Sequence, residues 1–299
     1  MSALNDFIAY CISEYRCPGR CTSCKNDKRC NNAQNCYIPC IKHIHDVNNS
    51  SSHYNCENMA LCYILKHFYR FSAEIEAALE RHIKIPLNRQ LHFASIGCGP
   101  ASELFGITNF LEHYPNSNLS FTYKGFDNST IWKQAWEYIS TNIANTEFIA
   151  SDFFEYYNEH SKPNVVIVNY MLSDMSKFHH EGIHEFLDKL YMFIDSMEYG
   201  MLIINDITYY GRDEHTANGC IAYLHRKFAQ NKACRFYYGS FNQVSFTKRF
   251  FGNNQLSPPS SKIASINMPL GISPFTDCNS LQYIITSDAL KAASMLVNS

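Results

Sequence analysis

Residues 91–103 read L-H-F-A-S-I-G-C-G-P-A-S-E, and no other stretch constrains the fold as tightly. An apolar run, with only His92 and Ser95 polar, breaks at two glycines one residue apart, Gly97 and Gly99. Pro100 and a helix-compatible stretch to Leu111 follow. A buried strand that turns sharply through glycines into a helix brings bare backbone N–H groups close to a ligand. In open α/β sheets that first strand-to-helix turn is where nucleotide-like cofactors sit.

The dinucleotide fingerprint G-x-G-x-x-G requires a third glycine, and Ser102 stands there, so a pyrophosphate is disfavoured. Downstream, apolar runs end in polar residues at regular intervals. Phe121–Phe126 leads to Asp127, and Glu147–Ala150 to Ser151 and Asp152. Val165–Asn169 leads to Tyr170, and Met201–Asn205 to Asp206. Five apolar segments alternating with helical patterns over about 91–230 predict a parallel sheet with helices on both faces.

G-C-G-P-A-S-E with these strand ends resembles the class I methyltransferases, which bind S-adenosylmethionine (SAM). The resemblance implies an α/β, Rossmann-like domain with a mostly parallel, seven-stranded sheet. It places the cofactor against Ser95, Gly97, Cys98, Gly99, Glu103, Asp127, Asp152, Phe153 and Asn169. Asp127 would accept the ribose hydroxyls, as a carboxylate should. Asp152 would lie near the adenine amino group. Catalytic candidates are Asn169, Tyr170 and Asp206. The pattern departs from the family at Ser95, where an acidic residue is common, and at Ala101, the third glycine of G-x-G-x-G. Glu103 is either a replacement carboxylate for the cofactor or a charge suited to any helix N-terminus. Tyr210, Arg212, Asp213 and His215 are positioned on the substrate side.

The cysteines set the amino terminus apart. Nine of 13 fall in the first 62 residues, and between Cys11 and Cys40 there is almost nothing apolar to bury. Cys21 and Cys24 form a C-x-x-C knuckle flanked by Cys17 and Cys30; Cys36 and Cys40 precede His43 and His45. Thiolates hold zinc tetrahedrally, and metal binding then supplies the folding energy. Zinc at Cys17, Cys21, Cys24, Cys30, Cys36 and Cys40 is one reading. An iron–sulfur cluster, or disulfides and free thiols, are the others. The expected division is a metal-binding module over 1–50 and a SAM domain over 51–299.

A long amphipathic helix is expected from Glu57 to about Ile83, since Leu61, Ile64, Leu65, Phe68, Phe71 and Ile75 recur at helical spacing. In the family, a helix here often covers the cofactor pocket; plain core packing is the alternative. Two or three antiparallel strands, 234–240, 243–251 and 281–287, finish the sheet. A net charge of −2 gives no global attraction to nucleic acid or anionic membrane. No apolar run is long enough to cross a bilayer, and no signal peptide is evident, so a cytoplasmic location with reduced thiols is expected. Two functional readings follow. One is a methyltransferase whose Cys-rich segment, with Arg16, Arg20, Lys25, Lys28 and Arg29, positions RNA, DNA or protein. The other is a catalytically silent SAM-fold binding or assembly protein.

Overall fold

The computed structural model describes residues 3–15, 57–82, 90–113, 120–178, 180–197, 200–207, 216–230, 236–238, 272, 274–275 and 280–287. Alternation along the central strands explains its layers. On β1 (Leu91–Ile96), Phe93 enters one core and Ala94 the other; on β4 (Val165–Asn169), Val165 and Val166 divide likewise, as do Ile203 and Ile204 on β5 (Met201–Ile207). Successive side chains point to opposite faces of a strand, so a sheet covered on both faces reads as a continuous apolar run.

The first core is closed by α1 (Ala3–Glu14), α2 (Glu57–His82), α3 (Ser102–Glu112) and α4 (Lys133–Asn142). The second is closed by α5 (Phe153–Glu159), α6 (Leu172–Phe178), α7 (Ile183–Asp195) and α8 (Ala217–Gln230). The remaining strands are β2 (Phe121–Phe126), β3 (Thr146–Ile149), β6 (Phe236–Tyr238) and β7 (Ser280–Ser287). The sheet order is β3-β2-β1-β4-β5-β7-β6. Six of these strands have four residues or more, and β6 is a three-residue edge piece. β1 to β5 pair in parallel, and β7 runs antiparallel to both β5 and β6. The architecture is therefore Rossmann-like, with a sheet dominated by parallel strands. The chain steps outward from β1 to β3, then returns to place β4 on β1's other side. That reversal leaves a crevice at the carboxyl ends of β1 and β4.

α2 ends within a residue of its expected boundary, and its Ile64, Leu65, Phe68 and Ile75 are core. α1 lies within the segment that the cysteines set apart, yet it belongs to the main core. Its Phe7, Ile8 and Cys11 are fully buried, and the Phe7 ring lies 5.0 Å from that of Phe105 and 5.3 Å from that of Phe68. Burial of the Cys11 thiol raises its pKa strongly, so it acts as a small apolar group. The expected strand at 243–251 lies outside the described residues. No helix among the described residues is long and apolar enough to cross a membrane.

Candidate functional site

A cleft of about 340 Å³ opens at the crevice between β1 and β4. Its floor is the turn after β1. Gly97 and Gly99 have φ of 62° and 52°, the left-handed region where a side chain is strained. Ala101, at φ 66°, adopts the same region at the start of α3. That geometry explains why a third glycine suits the position; alanine occupies it at a cost of ~1 kcal/mol. A Cβ on Gly97 would fall 2.6 Å from Met171 Sδ.

Asp127 follows β2 and locks this turn. Its carboxylate accepts the Gly99 N–H at 2.8 Å and the Ser129 N–H at 2.7 Å. Burial raises its pKa, while the two amides act in the opposite direction. A carboxylate offers about four acceptor positions, so two remain for a ligand. Trp136 Nε1 donates to Gly99 O at 2.8 Å, and its indole stacks on Phe148 at 5.3 Å. Trp132, at the same face of the segment, lines the cleft. Asp152 caps α5: one of its oxygens accepts from the N–H groups of Phe154 and Glu155. Phe153 fills the wall between them, edge-on to Phe126.

Behind the cleft runs a buried polar chain. Glu74 of α2, with no exposed surface, accepts from Arg70 Nε at 3.2 Å, the Tyr170 hydroxyl at 2.8 Å and Asn205 Nδ2 at 2.9 Å. Asn205 Nδ2 also donates to Asn169 Oδ1 at 2.9 Å, and Asn169 Nδ2 donates to Ser102 Oγ at 3.2 Å. Tyr170 holds a left-handed φ of 54°, and its ring stacks on Phe71 at 3.7 Å between centroids. Burial, then the Glu74 carboxylate, raises its phenol well above the usual range, so it stays protonated. Left-handed tyrosine is strained, and it persists because hydroxyl, ring and backbone N–H (to Asn205 O, 2.7 Å) are all fixed.

Of the expected cofactor residues, Gly97, Cys98, Gly99, Asp127, Asp152, Phe153 and Asn169 line the cleft, and so does Tyr170. Three residues do not. Ser95 points into the interior from β1 and has no exposed surface. Glu103 turns inward from α3 and accepts the Tyr123 hydroxyl at 2.7 Å; burial raises its pKa, and it is a core carboxylate rather than a cofactor contact. Asp206 is fully buried and accepts the Ser173 N–H at 3.0 Å, so it tethers the start of α6 instead of facing a substrate. Asn169 and Tyr170 reach the cleft, but their polar atoms are tied into the chain behind it. Cys17, Cys21, Cys24, Cys30, Cys36 and Cys40 lie outside the described residues, as do Tyr210, Arg212, Asp213 and His215.

Tyr63 and Phe71 of α2 form an aromatic wall of the cleft, so this helix both covers and packs, the two roles the sequence left open. Sequence reasoning missed one feature. Asp174, in the first turn of α6, also lines the cleft, where burial pushes its pKa up to about 7. Among the described residues one further group has metal-ligand types, Glu76, Glu80 and His113, and it is a partly exposed ion pair, with His113 Nδ1 2.8 Å from Glu80.

The chain matches no protein-family model and no curated protein. Solved structures of similar shape include the plantazolicin methyltransferase BpumL in complex with SAH. It is 15% identical, with 83% of this chain and 93% of that chain covered and a TM-score of 0.41. Precorrin-6y C5,15-methyltransferase from Geobacter metallireducens is 12% identical, with 72% and 88% covered and a TM-score of 0.38. Ribosomal protein L11 methylase from Lactobacillus delbrueckii subsp. bulgaricus is 13% identical, with 71% and 76% covered and a TM-score of 0.39. These likenesses concern shape and assign no residue of the cleft.

Proposed function

We propose that the protein is a SAM-dependent methyltransferase. The observation that carries this reading is the pairing of the left-handed turn at 97–99 with Asp127, at the crevice where the strand order reverses. The cleft suits a phosphate-free cofactor. Three carboxylates line it, Asp127, Asp152 and Asp174, and among the described residues no lysine, arginine or histidine does. A pyrophosphate would meet only like charge there. An adenosyl sulfonium is a cation, carries two sugar hydroxyls for Asp127, and supplies its own activated methyl group.

The chain's own part is alignment and electrostatics. Asp127 would hold the sugar while Asp152, through its free oxygen, would meet the adenine amino group. Trp132, Phe153 and Phe126 would enclose the base. Ser95 and Ala101, the two departures from the family pattern, favour no silent role: one lies beneath the cleft, and the other adopts the backbone geometry of a glycine. Metal binding by the Cys-rich segment, and its use in positioning an RNA, DNA or protein acceptor, belong to this proposal through cysteine spacing and basic residues alone.

Calorimetric titration with SAM and its demethylated product tests the cofactor. Gly97→Val is expected to abolish binding, through its strained φ and the contact with Met171. Transfer of radiolabelled methyl to a lysate, followed by nuclease or protease digestion, tests activity and acceptor class. Absence of SAM binding by the wild-type protein would overturn the reading.

A further inference from the structure

One of the three cleft carboxylates differs from the others in its partners. Asp127 is engaged by the amides of Gly99 and Ser129, and Asp152 by those of Phe154 and Glu155. Asp174 accepts no hydrogen bond from any described residue, yet it faces the cleft. Its surroundings are apolar: Met171 and Met175 flank it on the same segment, and Phe186 of α7 and Phe154 of α5 line the same cleft. The charged groups facing it are Lys177 on its own helix and Asp206 on β5. Cys220 of α8 interacts with Ser176 and Asp206, and burial pushes its thiol up to about 12 and so keeps it neutral. A carboxylate left without a partner in such a place has a full set of acceptor positions available to a ligand.

We propose that Asp174 is the proton acceptor of this site, and that the methyl acceptor is an amine carried on an apolar or aromatic body. This rests on reading the cleft as a methyl-transfer site. The three carboxylates outnumber the one described cation acting on Asp174, Lys177, and no described cation lines the cleft itself, so the site attracts an ammonium group and repels phosphates and carboxylates. The faces of Tyr63 and Phe71 favour a cation in the same way. The thioethers of Met171 and Met175 and the rings of Phe154 and Phe186 cover its apolar part. An ammonium is not a nucleophile. Its N–H proton passes to a carboxylate oxygen of Asp174, forming an O–H bond, and the electron pair of the broken bond stays on nitrogen as the attacking lone pair. That pair would form the N–CH3 bond as the S–CH3 bond of the sulfonium breaks, with the S–C electrons left on sulfur in a neutral thioether. Against an alkylammonium near 10, a carboxyl near 4 is about six decades too weak a base. Burial brings Asp174 to about 7 and halves that gap.

Three probes sharing one ring system separate the possibilities: tryptamine, tryptophol and indole-3-acetate. In the cofactor-free protein at pH 7.5, tryptamine is expected to bind at least ~10-fold more tightly than the other two. Asp174→Asn is expected to erase most of that preference, and Asp174→Glu to retain it. Carbon-13 NMR of the labelled aspartates is expected to show Asp174 titrating near 7, with the midpoint displaced by tryptamine. In the presence of SAM, methyl transfer to tryptamine is expected to fall ~100-fold or more in Asp174→Asn, the usual contribution of a positioned base. An equal affinity for all three probes, a preference that survives Asp174→Asn, transfer to tryptophol instead, or an Asp174 midpoint near 4 would each overturn the proposal. The methyl-transfer reading is judged separately by SAM titration of the wild-type protein. SAM binding without amine preference removes only the role of Asp174. Amine preference without SAM binding removes only the cofactor.

Discussion

Replacing Asp174 by asparagine should make the protein more stable above neutral pH, and the size of the gain can be worked out. The carboxyl moves from an ordinary 3.8 to about 7 on folding, mainly through burial, with Asp206 adding to the shift and Lys177 opposing it. A carboxyl that holds its proton more tightly when folded stabilises the protein below the unfolded value. That stability is lost as pH rises through the folded value. Wild-type stability should therefore decline between about pH 4 and about pH 7. The shift corresponds to an upper bound of ~4 kcal/mol. Because the side chain borders an open cleft, water reduces this, and ~1–3 kcal/mol is the expected range. Asparagine has nothing to titrate. The two proteins should match at pH 4, and the variant should lead by ~1–3 kcal/mol at pH 8. Urea denaturation at several pH values measures the difference directly, since every other titrating group is common to both. A stability difference that stays flat from pH 4 to pH 8 would refute the reasoning, because Asp174 would then be an ordinary solvated carboxylate.

Asp127→Ala should weaken SAM binding ~10- to 100-fold by calorimetry, since hydrogen bonds to a carboxylate are worth ~1.5–3 kcal/mol. Asp127→Asn should not restore it, because the new amide NH₂ would face the N–H of Gly99 or of Ser129. Glu74→Ala should cost ~3–5 kcal/mol in denaturation, by leaving the Arg70 charge and the Tyr170 hydroxyl without their buried partner. Elemental analysis of the purified protein should find zinc, or iron with visible absorbance. Cys21→Ser should lower the metal content while leaving SAM affinity within about twofold; a metal-free wild-type protein would end that expectation.

The parts of the fold written in local periodicity were legible. The short apolar run Val165–Asn169, bounded by polar residues, and the helical spacing from Leu61 to Ile75 were both readable, and both elements are observed. Gly97 and Gly99 were legible because a left-handed backbone selects for residue type. Side-chain direction was not. Asp206 and Ser95 sit at or near strand ends, as the resemblance requires, but α6 and the core claim them. Residue type alone allows Glu103 either a cofactor or a helix-terminus role, and its hydrogen bond with the hydroxyl of Tyr123, 20 residues away, draws it into the core. Asp174 looked like any acid in a first helical turn, and only the walls around it make it unusual. The helix at 3–14 did carry a pattern, with Leu4, Phe7, Ile8 and Cys11 at helical spacing. Its proximity to the cysteine cluster obscured that pattern.

That first helix changes what the cysteine-bearing stretch can be. Residues 16–56 depart from one packed element, α1, and arrive at another, α2, and the two share a core. The two flanking helices are thus fixed against each other, and joining them through a connection of this length carries an entropic penalty that grows only slowly with added residues. Trimming the amino terminus to delete the cysteines would also pull Phe7 from its aromatic cluster. The informative excision is internal: joining Tyr15 to Glu57 through a short glycine–serine bridge, with both anchors left in place.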